Sequence, residues 1–233
     1  REIVTIGIAA SVRQISASFF IVITNTALAT FGTDLHVSAF GVVFRILLFA
    51  LMPLFGLGQG FQPIAGYNYG AGNLLRVRES VRVTMVVAVV VSSFSFVLIM
   101  LIPNAVFSIF TTDERLLSIG TEALRIVALA IPLVGPQIIG SVFFQAMGKA
   151  LPAFVLSLSR QVLLLIPFVL IFSRLFGVVG IWASFPAADI LSAAVTIIWT
   201  AIELRSLLRT GCAERPEQAG CVDVDEVRLV TAS

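Results

Sequence analysis

Six long, nearly uncharged apolar stretches set the terms for this chain: Ile3–Phe31, Phe40–Tyr67, Val83–Ile102, Leu117–Met147, Pro152–Phe172 and Val178–Ile202. Each reaches the roughly 20 residues a helix needs to cross a bilayer. Strands of a membrane barrel would carry a polar residue at every second position, and "VVAVVVSSFSFVLIM" does not. Lipid satisfies no backbone group, so only helices or closed barrels span it; these stretches read as helices. Composition agrees, with 58% hydrophobic and 12% charged residues, where a soluble domain carries about a quarter charged.

Several function classes fall away. A formal charge of +2, with basic residues not clustered among aromatics, gives no footprint for nucleic acid. Cys212 and Cys221 sit in the polar tail without a nearby His, so they read as free thiols and no metal site is expected. An intramembrane enzyme would need a nucleophile with a base, or paired carboxylates. There is one deep carboxylate and no membrane histidine, so neither a catalytic residue nor a cofactor is expected. His36 reads as a solvated loop residue.

Lys and Arg gather on the cytoplasmic side of a membrane. Arg76, Arg78 and Arg82, then Lys149, then Arg205 and Arg209 fall on one side; Arg115 and Arg174 fall on the other, with Arg125 just inside the fourth span. Both termini are therefore expected in the cytoplasm. Residues 1–209 read as one membrane unit and 210–233 as a polar, disordered cytoplasmic tail. The chain opens on Arg1 rather than Met, from which we expect polypeptide upstream.

The stretch "GQGFQPIAGYNYGAGN" (58–73) superficially resembles a phosphate loop. A Walker loop needs Lys and Ser or Thr after its last Gly, and a dinucleotide fingerprint needs G-x-G-x-x-G after a strand; neither is present. A deformable membrane helix remains. Pro53 and Pro63 each free a carbonyl one turn back and permit a bend. Gly56/Gly60 and Gly66/Gly70 are small-xxx-small pairs that let backbones approach. Beside them Met52, Phe55, Gln59, Gln62 and Gly66 recur at helical spacing.

Two further polar stripes accompany this one. Ser11, Gln14, Ser18 and Asn25 share a face of the first span; Gln137, Ser141, Phe144 and Gln145 share a face of the fourth, where Pro132 and Pro136 loosen the helix. Three helices thus offer amides, hydroxyls, Phe and Met to a common interior suited to an amphiphilic guest; interhelical hydrogen bonding is the alternative use. Charged residues within a bilayer are functional candidates by default. Asp189 binds a proton or cation, or pairs with Arg160 or Arg13. Arg13, Arg45 and Arg160 have the further option of snorkelling to an interface.

At these residues a family resemblance enters. "FGLGQGFQPIAGYNYGAGN" resembles the end of the second helix in the C-terminal half of bacterial multidrug and toxic compound extrusion (MATE) transporters. "PLVGPQIIGSVFFQAMGKALP" resembles their tenth helix and the following loop, and "LSLSRQVLLLIPFVLIFSRLFGVVGIWASFPAADIL" their eleventh and twelfth. The resemblance covers about residues 1–209. It implies an all-α membrane fold in which this chain is the C-terminal six-helix lobe of a twelve-helix antiporter. The implied function is export of drugs or other organic, often cationic, compounds in exchange for H⁺ or Na⁺, at the cell membrane and with an absent N-terminal half as partner. Sodium-linked NorM-type members place acidic residues in the seventh and tenth helices, and the corresponding first and fourth stretches here have no midmembrane Asp or Glu; Gln137 is the nearest polar substitute and Glu122 lies near an outer helix end. The family's coupling Asp would lie upstream. A lipid-linked oligosaccharide flippase of the same superfamily is the alternative, with Arg13, Arg45 and Arg160 as its basic residues.

Overall fold

The computed structural model describes the backbone of residues 2–214 and the side chains of positions 15–209 except 16, 17, 150, 157, 159 and 208. The side chains of Ser11, Arg13, Gln14 and Cys212, and Cys221 with most of the tail, lie outside the described residues. Helices follow one another along the chain: α1 (Glu2–Phe31), α2 (Asp34–Gly70), α3 (Leu74–Leu101), α4 (Pro103–Ser108), α5 (Glu114–Ala128), α6 (Ile131–Ala146), α7 (Ala150–Leu158), a π-helical stretch (Ser159–Leu165) and α8 (Ile166–Glu214).

Local chemistry sets the ends. At the start of α2 the Thr33 N–H donates to His36 Nδ1 at 3.2 Å, and the Thr33 hydroxyl lies 2.9 Å from the same nitrogen. His36, expected as a solvated loop residue, instead helps to close a helix terminus whose first N–H groups have no partner within the helix. Asp113 does the same for α5, its Oδ1 accepting from the Arg115 and Leu116 N–H groups.

Of the proline expectations, the fourth span shows a bend: α5 and α6 meet at 52°, with Pro132 in the first turn of α6 and Pro136 inside it. By contrast α2 runs unbroken through Pro53 and Pro63. At 37 residues it extends about 55 Å, well beyond the roughly 30 Å hydrocarbon layer.

The long α8 is two rods. Gly177 takes φ 61° and ψ −137°, a conformation reserved almost wholly for glycine. Arg160 and Asp189 confirm the reversal: in one straight helix they would stand about 43 Å apart, yet Arg160 Nε donates to Asp189 Oδ1 at 2.6 Å. By length and composition three helical stretches among the described residues can cross a membrane, 34–70, 74–101 and 151–207, or four with the bent α5–α6 pair. The turn at Gly177 divides the last of these.

Two cores hold the bundle. In one, Phe20, Phe40, Trp182 and Phe185 bring α1, α2 and α8 together, with ring centroids 5.7–6.4 Å apart. In the other, Leu54, Phe61, Phe143, Phe144 and Met147 join α2 to α6. Gly135 allows α6 to approach α3 closely, since a Cβ there would fall 2.6 Å from the Ala88 carbonyl oxygen.

Gly177→Val should cost about 1–3 kcal/mol, the usual penalty for forcing a side chain into such a conformation. Thermal denaturation of the detergent-solubilised protein would read this as a lowered midpoint. An unchanged midpoint would mean that the reversal does not depend on this backbone geometry.

Candidate functional site

One face of α2 is uncovered from end to end. Gly41, Arg45, Leu48, Met52, Phe55, Gln59, Pro63 and Gly70, spaced at helical intervals, are all exposed, and Gly66 and Gln62 beside them are half-buried. The open faces of neighbouring rods differ in kind. On α3 the exposed stripe is Val83, Val86, Val90, Phe94, Val97 and Leu101; on α8 it is Leu191, Val195, Ile198 and Ile202. Those surfaces are hydrocarbon throughout and suit acyl chains. The α2 face mixes a guanidinium, amides, small residues, Met and Phe.

The glycines of α2 divide between two registers. A Cβ on Gly58 would sit 3.3 Å from Val142, and one on Gly66 3.2 Å from the Ala146 carbonyl oxygen, so these two let α6 approach. At Gly56, Gly60 and Gly70 it would meet nothing within 4 Å. The expected pairs Gly56/Gly60 and Gly66/Gly70 are thus corrected: the helix contact within this chain uses Gly58 and Gly66.

The three polar stripes are not brought to one interior. On α1, Ser18 is exposed and Asn25 half-buried. On α6 the stripe turns inward. Gln137 is 6% exposed; its Nε2 donates to Ser192 Oγ at 2.6 Å, and its Oε1 is buried without a partner. Phe144 is fully buried, its ring 5.7 Å from Trp199, while Ser141 is half-buried and Gln145 exposed. Gln59 and Gln137, alike in sequence, occupy opposite environments.

Sequence reasoning missed the partner stripe. Asp189, Ser192, Thr196 and Thr200 lie at helical spacing along α8, and all are buried. Gly140 makes room for them, since a Cβ there would fall 2.5 Å from Thr196 and 2.9 Å from the Thr200 hydroxyl. The spacing of hydroxyls in "DILSAAVTIIWT" was the available signal. Of the two readings for Asp189, the structure contains the pair with Arg160. Towards the end of α8 a second ion pair joins Lys149, in the turn after α6, to Glu203.

The family model described as MatE matches residues 9–171, most of the chain. The chain belongs to the MatE family. Multidrug export protein MepA of Staphylococcus haemolyticus (strain JCSC1435) is 24% identical over 184 residues, 78% of this chain and 40% of that protein. Among solved structures, the MATE multidrug transporter DinF-BH, determined as a complex, is 42% identical. That match covers 83% of this chain and 43% of that one, with a TM-score of 0.72. An inward-facing multidrug resistance MATE transporter of the MOP superfamily has the same fold at a TM-score of 0.82 and 22% identity, over 90% of this chain and half of that one. The chain thus spans less than half the length of the curated relatives it matches. Its apolar helices and these neighbours make it an α-helical membrane protein of the MATE fold.

The Gln137–Ser192 bond yields a stability test. Ser192→Ala leaves a buried amide without its acceptor and should cost about 1–3 kcal/mol, whereas the double variant Gln137→Leu/Ser192→Ala, with no polar group left over, should recover most of it. Thermal unfolding in detergent checks this; a double variant no more stable than Ser192→Ala would show that the bond is not the term being lost.

Proposed function

We propose that this chain is the C-terminal six-helix half of a secondary antiporter that exports drugs or other organic, often cationic, compounds in exchange for H⁺ or Na⁺. The observation that carries the reading is the uncovered mixed face of α2. Arg45 and Gln59 lie within an apolar span, and polar side chains there face protein or water rather than lipid. The relatives support the same reading through their length, more than twice the matched part, and through their names as multidrug exporters.

In this reading the α2 face, with Ser18, Asn25 and Gln14 of α1, forms one wall of a cleft closed by the absent N-terminal half. Met52 and Phe55 offer soft, polarizable contact to aromatic guests; Gln59 and Gln62 supply hydrogen bonds that tolerate several orientations. Gln137, Ser141 and Phe144 stand behind that wall and hold α6 in place. Rocking of the two halves, with flexure at Pro53, Pro63, Pro132 and Pro136, alternates access, and both termini lie in the cytoplasm of a cell whose plasma membrane houses the protein. Arg160 is engaged by Asp189, which leaves a flippase with fewer basic side chains to grip a pyrophosphate.

Full-length protein in proteoliposomes with an imposed H⁺ or Na⁺ gradient tests the reading, with the aromatic cation ethidium as the probe. Export that follows the gradient supports it; absence of gradient-driven movement of ethidium and of other organic cations overturns it. Within that assay Gln59→Leu should lower ethidium export by about fivefold, the worth of one net hydrogen bond of about 1 kcal/mol, while Val90→Ala on the hydrocarbon face of α3 should leave it unchanged.

A further inference from the structure

The rod made of α7, the π-helical stretch and the part of α8 before Gly177 contains a feature that the cleft does not use. Its inward positions are Ala153 and Leu156 before the π-helical stretch, Leu165 at its last residue, and Val169 and Ser173 after it. Their spacings are three or four residues on either side, as on one face of an α-helix. Arg160 falls four residues after Leu156 but five before Leu165. In a continuous α-helix positions 160 and 165 would point about 140° apart. The π turn absorbs that excess: the Ile166 N–H donates to the Gln161 carbonyl, five residues back. The widened turn therefore keeps Arg160 on the same side as the buried row. There its Nε meets Asp189, whose side chain is 9% exposed. Isolated π turns are costly insertions that recur at functional positions.

We propose that Arg160 and Asp189 are a positioning pair for transport: their contact holds the widened turn open and so sets the rotation of α7 about its own axis. Without the contact, the turn closes to ordinary α-helical geometry and α7 rotates, taking Leu156 out of the core and Leu151 into it. The consequence reaches the cleft wall because α1 packs on both α7 and the π stretch. In this role Asp189 carries no coupling ion. The charges serve each other, and an apolar pair of similar size can replace them, as holds for other buried ion pairs.

The proposal rests on the transporter reading only for its export readout. Nitroxide labels at Val155 and Ile198, both exposed, report the rotation of α7 in the full-length protein. In Asp189→Asn we expect the label-to-label distance to move by at least about 4 Å, given a helix radius of about 5 Å with side chains. Export of ethidium should fall about tenfold or more, since the half-buried Arg160 is left without its partner and the cleft wall shifts with α7. In Arg160→Met/Asp189→Leu both distance and export should return close to the wild-type values. A distance unchanged in Asp189→Asn overturns the proposal. So does a double variant with the wild-type distance and no gradient-driven export, which would assign Asp189 to ion carriage. If Asp189→Asn fails to reach the membrane, the double variant decides on the same criteria. A wild type that exports nothing sinks the transporter reading alone, since the distance arm still reads the pair.

Discussion

Hydrocarbon offers no hydrogen bonds, and the rest of this architecture follows from that. Backbone groups are satisfied within helices, leaving the side chains to determine how the helices meet. Wherever a buried polar group lies within an apolar stretch, another helix or its own turn generally supplies the partner: Gln137 with Ser192, Arg160 with Asp189, the Ser92 hydroxyl with the Pro132 carbonyl. Such contacts are individually weak in membranes, averaging about 0.6 kcal/mol. Their value lies in register, because a one-residue slip of α8 would strand Asp189, Ser192, Thr196 and Thr200 together on a new face.

Length and hydropathy made most of the rods legible in sequence. Five of the six apolar stretches correspond to single helices or to the two arms around Gly177, and the bend in the remaining one was marked by Pro132 and Pro136. Closed contacts were harder to read. Small residues recur along α2 in more than one register, and nothing local distinguishes the Gly56/Gly60 pair from Gly58 and Gly66, two turns apart. The choice belongs to Val142 and Ala146, some eighty residues further on. The π turn was illegible for a related reason. An inserted residue becomes visible only when burial on both sides of it is known.

The candidate site shows the same limit. Met52, Phe55, Gln59 and the inward-turned Gln137 all belong to stripes of helical period, and period alone says that residues share a face without saying what that face meets. Gln137 lies opposite a hydroxyl row on α8 that approaches through Gly140, so it became part of the interior. Among the described residues Gln59 has no such row opposite it. Asp189 was visible as the one deep carboxylate, and its membership of that hydroxyl row follows from the 189, 192, 196, 200 spacing.

The contrast among open faces carries the last step. Exposure alone would not distinguish α2 from α3, since both present large side chains outward; Met52 is 62% exposed and Val90 equally so. Chemistry does distinguish them. On α3 and α8 the exposed row is aliphatic or aromatic at every position, as lipid requires. On α2 the row runs from Arg45 to Gln59 over about 21 Å of helix, too far for both polar groups to reach one interface. Arg45 can extend a long stem towards the outer boundary, but an amide on two methylenes cannot. In the transporter reading proposed above, the uncovered Gln59 faces something other than acyl chains, and the more than half of each relative's length that lies outside this match is the polypeptide proposed to meet it.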